Sequence, residues 1–378
     1  MKPYEFINHI IDDIISQYLE DDYCFRYFHD LIRYDHNYNE APEDCIQDKS
    51  LVPGIFEEDQ DLSKKQNLPQ NLFYHNQKWL STKNINTDLE GTLLRDKVKY
   101  RFYNHSFEPV YVNYDKHFYN YIQEKKFIEH TNVIVHSEVN SRELDQLHCM
   151  GIKHLYWFSH AYLCSEFYFK HYKKLRMVTD YKVRPIEYPW ICANRLLRDY
   201  RVEFLHSIDY TKGAYSLLPE DATGKKLWGT VPPNSFDDHG NDSAEICVDR
   251  LTPWNTSFLH CVMETVWQDK IHFTEKVFKP IVLHQPFVVL QAPGSLEYLR
   301  GYGFKTFGDW WDEGYDTIQN PNERMQAIAD IVNWISTQDL YKMREEMSGV
   351  LEYNFRHFYE NIPDIVLDEL RVNLRNAV

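Results

Sequence analysis

Apolar residues recur along this chain with two different spacings, and the change between them divides it. Residues 1 to about 65 are helix-like and acidic; the opening Met-Lys-Pro-Tyr-Glu-Phe-Ile-Asn-His-Ile-Ile-Asp-Asp carries acids and polar groups through its apolar stripe, which predicts an amphipathic helix and not a signal peptide. Gln60 to Gln77 is polar, holds Pro69 and few apolar residues, and reads as a connector. From Val98 onward the apolar runs shorten to strand length: Val98–Tyr103, Val110–Val112, Asn132–His136, His154–Phe158 and Tyr188–Cys192, with helical patterns such as Ser141–Met150 between several of them. A second alternating block runs from about Val202 to Thr306. Within it Phe258–Met263 predicts a short strand, Val277–Leu283 a short amphipathic helix, Gln285–Leu290 the next strand and Ala292–Leu299 the loop and helix after it. Asn322–Met325 opens a helix after Pro321, with Met325, Ile328, Ile331, Val332 and Ile335 on one face, and another helix follows from about Thr337 to Tyr359. Strands alternating with helices predict an α/β fold with a mostly parallel sheet covered by helices. No internal repeat interrupts that reading.

Length and composition bound the picture. A chain of 378 residues, 43% hydrophobic, can bury two cores, which suggests two domains plus extra elements. No apolar run approaches the ~20 residues that a membrane span needs, so the expectation is a soluble, cytoplasmic protein with no membrane partner. Seven cysteines, at 24, 45, 149, 164, 192, 247 and 261, form no CxxC pair and no zinc spacing, and are expected to be reduced core residues. The formal net charge of -16 argues against a protein whose main affinity comes from coating nucleic acid. A local basic cleft stays open, because Lys170, Lys173, Lys174, Arg176, Lys182 and Arg184 lie close together in sequence; a solvated helix face is the other reading of the lysines.

The richest chemistry lies in Glu264-Thr-Val-Trp-Gln-Asp-Lys-Ile-His-Phe-Thr-Glu-Lys276. Thr274 is placed to act as N-cap for the helix that follows, leaving its first N–H groups and positive dipole end facing the loop, where phosphate oxygens are a natural occupant. Lys276 adds a full positive charge for a pyrophosphate, and the two oxygens of Glu275 suit the two hydroxyls of a ribose. Ordinary capping chemistry, with an acid in the first turn, accounts for Thr-Glu-Lys equally well from these three residues alone. Upstream, Ile191 to Leu205 reads as a strand end, a turn and a helix opening that carries Arg195, Arg198 and Arg201. Guanidinium forks suit phosphate; a solvated face paired with Asp199 and Glu203 is the other reading, and is preferred for Arg198.

These windows resemble the donor-binding motif of the alpha-1,3-fucosyltransferase family, in which an acidic residue is followed after a short loop by an aromatic, a small residue, Thr, Glu and Lys. Here those positions read Glu264 and Phe273-Thr274-Glu275-Lys276, and Arg201-Val-Glu-Phe-Leu resembles the second pyrophosphate clamp. Lys99-Tyr-Arg-Phe-Tyr-Asn104, His136-Ser-Glu-Val-Asn-Ser141, Tyr156-Trp-Phe-Ser-His160, Asn194-Arg195, Pro293-Gly-Ser-Leu296 and Trp310-Trp-Asp-Glu-Gly-Tyr-Asp316 are also similar, in order, to pieces of bacteriophage glycosyltransferases. The resemblance implies the GT-B architecture, two Rossmann-like domains facing a cleft. It divides the chain into a helical extension (1–70), an acceptor domain (71–195), a nucleotide-sugar domain (196–335) and C-terminal helices (336–378) that return across the cleft.

The resemblance also implies a nucleotide-sugar-dependent hexosyl- or pentosyltransferase, with Arg195, Arg201, Glu264, Phe273, Thr274, Glu275 and Lys276 on the donor side. It requires no cofactor beyond the nucleoside-diphosphate sugar that is its donor substrate, and no metal, because lysine and arginine can neutralise the pyrophosphate. The leading acceptor is a 5-hydroxymethylated pyrimidine in phage DNA. A glycan or virion protein is the runner-up, and a non-catalytic sugar- or nucleotide-binding virion component the competing class. Transfer with inversion needs a base. Glu138, after the Val133–Val135 strand, and His160, after Tyr156–Phe158, sit at carboxyl strand ends where such sheets place ligands, and Asp115 is a third candidate. Helix capping by Glu138 and a half-buried loop hydrogen bond by His160 are the alternatives. Donor base, sugar, stereochemistry, oligomeric state and the role of the Trp310–Asp316 loop stay open.

Overall fold

A computed structural model of the chain describes residues 3–19, 23–27, 72–73, 99–107, 109–110, 131–170, 180–194, 198–217, 231–232, 234 and 252–378. Arg195, Asp115, the Gln60–Gln77 connector apart from its two residues 72–73, Tyr111–Val112, Lys173, Lys174 and Arg176 of the basic run, and Cys45 and Cys247 lie outside the described residues. Contacts divide the chain into two compact units, Met1–Ser159 with Asp368–Val378, and His160–Leu367.

The first unit is built on a parallel sheet. Helix α1 (Pro3–Leu19) buries Ile7, Ile11, Ile14 and Ile15, a spacing that keeps one stripe inward. Two polar residues share that stripe and each finds a partner there: Asn104 donates to Asn8 Oδ1 at 2.8 Å, and the Tyr23 hydroxyl donates to Asp12 Oδ1 at 2.6 Å. The strands are β1 (Tyr23–Tyr27), β2 (Leu72–Phe73), β3 (Tyr100–Asn104), β4 (Thr131–His136) and β5 (Lys153–Tyr156), in the order β2-β1-β3-β4-β5 and all parallel. The Val133-Ile134-Val135 run at the centre of β4 is fully buried, as a strand covered on both faces requires. Helix α2 (Arg142–Cys149) links β4 to β5 and buries Leu144 and Leu147. The chain end returns to this unit, where Tyr100 donates to the Val378 carbonyl and Lys153 to that of Ala377, both at 2.7 Å.

One expectation is corrected here. Pro3–Leu19 is helical as expected, but Tyr23-Cys-Phe-Arg-Tyr27, read as part of a helical extension, is strand β1, paired on both sides within the first sheet. Acidic flanks hid it: a short run of aromatic strand formers is too brief for its period to stand out.

The second unit begins with α3 (Ser159–Leu163), which runs into a π-helical turn at Cys164–Tyr168. Its sheet comprises β6 (Tyr188–Asn194), β7 (Ala214–Leu217), β8 (Ser257–Met263) and β9 (Phe287–Leu290), all parallel, in the order β7-β6-β8-β9. The helices are α4 (Asp199–Ser207), the single turn α5 (Pro253–Thr256), α6 (Glu275–Val282), α7 (Ser295–Gly301), α8 (Pro321–Ile335) and α9 (Leu340–Glu360); α10 (Ile362–Ala377) begins here and ends in the first unit. Asn320 caps α8 by accepting from the Asn322 and Glu323 N–H groups ahead of its buried Met325, Ile328, Val332 and Ile335 face. Tyr188–Cys192, read from sequence as closing the first block, belongs to β6 of this second sheet. Its burial was legible; which sheet buries it was not, since that depends on pairing Tyr188 with Ser257, far along the chain. All seven residues of β8 are buried. Among the described residues no helix is long and apolar enough to cross a membrane.

Candidate functional site

The strand order of the second sheet fixes where a ligand would sit. From β6 the chain moves outward to β7, then returns past β6 to place β8 on its other side. The connections leaving β6 and β8 therefore diverge, and they open a crevice at the carboxyl ends of those two strands, the usual ligand position in open α/β sheets. The segments that leave there carry Arg198 and Arg201 after β6, and Glu264 to Lys276 after β8.

Glu264 follows the last residue of β8 and is fully buried. Its Oε1 accepts the Thr274 N–H at 3.0 Å, its Oε2 accepts the Thr274 hydroxyl at 2.7 Å, and the Lys276 ammonium lies 3.7 Å from Oε2. Thr274 thus stands at the N-cap of α6 with extended backbone, but its side chain makes no capping bond to that helix. The expectation that Thr274 caps α6 is corrected in this respect: position and backbone are those of a cap, while the hydroxyl is drawn off by a buried carboxylate whose remaining acceptor must be satisfied. Lys276 is bound on three sides, by Thr274 Oγ1 at 2.8 Å, Glu275 Oε1 at 3.2 Å and Glu264.

The two carboxylates that share this lysine respond differently. Burial raises Glu264 above the ordinary carboxylate range, against the pull of Lys276. Burial also acts on Glu275, but there Lys276, Lys279 and His160 outweigh it, and the group is pushed down to about 2. Burial would lower Lys276, yet Glu275 and Glu264 hold it above its ordinary value. Lys276 and Glu275 therefore form the charged pair of the cluster, with Glu275 firmly anionic.

Around this cluster the structure gathers residues from four other segments. Tyr200 of α4 donates its hydroxyl to the Glu264 carbonyl, and Arg201, also buried, donates Nη2 to the Met263 carbonyl at 3.2 Å and Nε to the Tyr200 hydroxyl at 3.1 Å. Arg201 also acts electrostatically on Lys276. The His160 ring meets the His272 ring edge-on at 5.7 Å. His160 and Glu275, assigned from separate motifs, are therefore brought into one electrostatic neighbourhood. Phe273 stacks on Tyr298 of α7 with ring centroids 5.6 Å apart. Cys164 of the π-helical turn is buried beside the same charges, and burial first, Glu275 next, push its thiol well up, so it is an inert packing group.

Several members were not singled out from sequence. His272 donates no signal beyond its place next to Phe273; Gln291 Nε2 donates to its carbonyl at 3.1 Å. Arg324 of α8 is buried and donates to the carbonyls of Ile318, at 2.7 Å, and Trp267, at 2.6 Å, which ties down the loop between β8 and α6. Lys279 lies one turn along α6 from Glu275, with its ammonium 4.9 Å from the centre of the Trp254 ring.

Glu138 lies in the first unit, buried just beyond β4, with its Oε1 accepting the Val110 N–H and its own N–H donating to His136 Nδ1 at 3.2 Å. These bonds hold the loop after β3 against the end of β4. The Trp310–Asp316 loop also acquires a structural role. Asp316 accepts the Leu296 N–H at 2.9 Å and the Glu297 N–H at 3.1 Å, capping α7 from outside the helix, while Glu313 accepts the Thr306 hydroxyl and the Phe307 N–H, both at 2.7 Å. Among the described residues no group of three or more His, Cys, Asp or Glu side chains is arranged to hold a metal ion. The chain matches no protein-family model and no curated protein.

Proposed function

We propose that the second unit binds the nucleoside-diphosphate part of an activated sugar and that the protein is a glycosyltransferase. One observation carries this reading: Glu264, Thr274, Glu275, Lys276 and Arg201 converge at the carboxyl end of β8, beside the point where the strand order reverses. Because the Thr274 hydroxyl is engaged by Glu264, the first turn of α6 offers N–H groups and its dipole to an anion. A diphosphate arriving there competes with Glu275 for Lys276. The exchange transfers the ammonium to phosphate oxygens and frees Glu275 to accept both ribose hydroxyls, so one ligand replaces the internal ion pair by two matched sets of bonds. Arg201, and Arg195 just after β6, supply further charge.

His160 is the favoured base, because it shares the second unit and the field of Glu275, whereas a Glu138 oxygen is engaged by Val110. In the transfer step the acceptor oxygen forms a bond to the anomeric carbon. Its proton passes to the imidazole, the bond from that carbon to the diphosphate oxygen breaks, and the nucleoside diphosphate leaves with the electron pair. The leading acceptor is the hydroxymethyl group of a modified pyrimidine in DNA, with a glycan hydroxyl as the alternative.

The reading is tested by thermal shift with a panel of nucleoside diphosphates, followed by mass spectrometry of hydroxymethylated DNA incubated with the matching sugar donor. Stabilisation by one nucleotide, a hexose or pentose mass gain on the DNA, and loss of turnover in Glu275→Ala are expected. Stabilisation without a gain on DNA would redirect the acceptor to glycans. A chain that binds no nucleotide, or binds one and turns over no donor with any acceptor, removes the enzyme.

A further inference from the structure

At the opposite, amino-terminal ends of β6, β8 and β9 lies a small, partly open pocket, lined among others by Tyr181, Arg184, Ser257, His284, Gln285 and Arg344. Its enclosed part has room for about one small particle, a water or a monatomic ion. Two guanidinium groups meet there. Arg184 is 8% exposed, donates Nη2 to the Leu283 carbonyl, and keeps a buried Nε with no hydrogen-bond partner. Arg344 of α9 donates to the carbonyls of Arg184, at 2.8 Å, and Lys182, at 2.9 Å.

Backbone carbonyls satisfy donors but cancel no net charge. Among the described residues neither guanidinium has a carboxylate within ion-pair distance: Glu352 is engaged by Arg356 at 2.8 Å and His284 at 3.4 Å, and Asp180, which accepts the Lys182 N–H at 3.0 Å, acts on both arginines only from farther away. Burial first, and Arg344 next, push Arg184 down to about 10, and burial lowers Arg344 as well. A buried guanidinium near a half-buried one of like charge is costly, and a water would fill the space without relieving the repulsion. His284 closes the pocket in a left-handed conformation, φ 53°, stacked between Tyr181 at 4.3 Å and Phe355 at 4.2 Å. A non-glycine residue held there shows that the surrounding packing fixes the pocket wall.

We propose that this pocket is a site for a single-atom anion, chloride by size and charge, held between Arg184 and Arg344. The ion ties the segment before β6 to α9 and to the turn between α6 and β9, all within the second unit. It is independent of the nucleotide-sugar reading, whose site lies at the other end of the same sheet.

The test is thermal unfolding of the full chain as sodium gluconate is exchanged for sodium chloride at fixed ionic strength. Wild type is expected to show a saturable rise of about 2–4 °C, absent in Arg344→Gln, whose half-buried side chain is the safer of the two to replace. Crystals grown in bromide provide a readout independent of variant stability, with an anomalous peak expected between Arg184 and Arg344. The proposal is overturned by a flat chloride response together with no bromide peak, by a rise that persists undiminished in Arg344→Gln, or by phosphate or sulfate stabilising more strongly than chloride through the same arginine.

Discussion

The Glu264 carboxylate takes both hydrogen bonds that Thr274 offers, the backbone N–H at 3.0 Å and the hydroxyl at 2.7 Å. A buried acid at the end of β8 thereby sets the start of α6, ten residues later, and decides which way Glu275 and Lys276 leave the chain. Thr274→Val should cost about 1–3 kcal/mol in urea unfolding, because it leaves a buried carboxylate oxygen short of a donor, and Thr274→Ser should recover most of it. Equal stability of the valine and serine variants would show that the bond does not hold the loop.

Lys276 is predicted to discriminate by phosphate. In the proposed exchange it leaves Glu275 for the diphosphate, so Lys276→Ala should weaken a nucleoside diphosphate by about tenfold or more while leaving the free nucleoside within about twofold, as measured by calorimetry. Uniform weakening of both ligands would mean that the lysine only supports the loop.

Acid should destabilise the second unit through buried neutral histidines. Burial pushes His260 down to about 3 and His284 down to about 4, whereas an unfolded histidine takes a proton near pH 6.5. Between those values the unfolded chain binds more protons than the folded one, so stability rises with pH through that window, by up to about 1.4 kcal/mol per pH unit for each such histidine. Glu275 acts in the same direction lower down: its folded value near 2 gives stability that is present above the ordinary carboxylate range and lost as pH falls toward 2. Chemical denaturation of wild type and His260→Gln from pH 7 to pH 4 checks this, with a shallower slope expected for the variant.

Asp316→Ala should uncap α7, since its carboxylate bonds the N–H groups of Leu296 and Glu297 at 2.9 and 3.1 Å. A loss of about 1–2 kcal/mol is expected, with Asp316→Asn intermediate. Hydrogen exchange should locate the change at Ser295–Tyr298; unchanged protection there would remove the capping role.

Much of the second unit was legible in the chain because its signals are local. The apolar run Phe258–Met263, the acid that follows it, the polar Phe-Thr-Glu-Lys entry to α6, and the helix opening after Pro321 each fall within a few residues, the range over which strand burial and helix starts are set. The first sheet was only partly legible. Strands β3, β4 and β5 stand close to their expected positions, but Tyr23–Tyr27 was absorbed into a helical reading and Tyr188–Cys192 was given to the wrong sheet. A period reports how a segment is buried, not which neighbour buries it.

The sequence by itself determined the residue types of the candidate site and the alternation that makes two parallel sheets. Only tertiary structure decided that His160 shares an electrostatic neighbourhood with Glu275, that Arg201 is anchored on the end of β8, that Thr274 serves Glu264 rather than its own helix, and that Arg184 faces Arg344 across a pocket at the far end of the sheet. The physical reason is distance along the chain. Capping and periodicity depend on neighbours within a turn or two, whereas a buried charge is defined by whatever the fold packs against it, and those partners come from segments tens to hundreds of residues away.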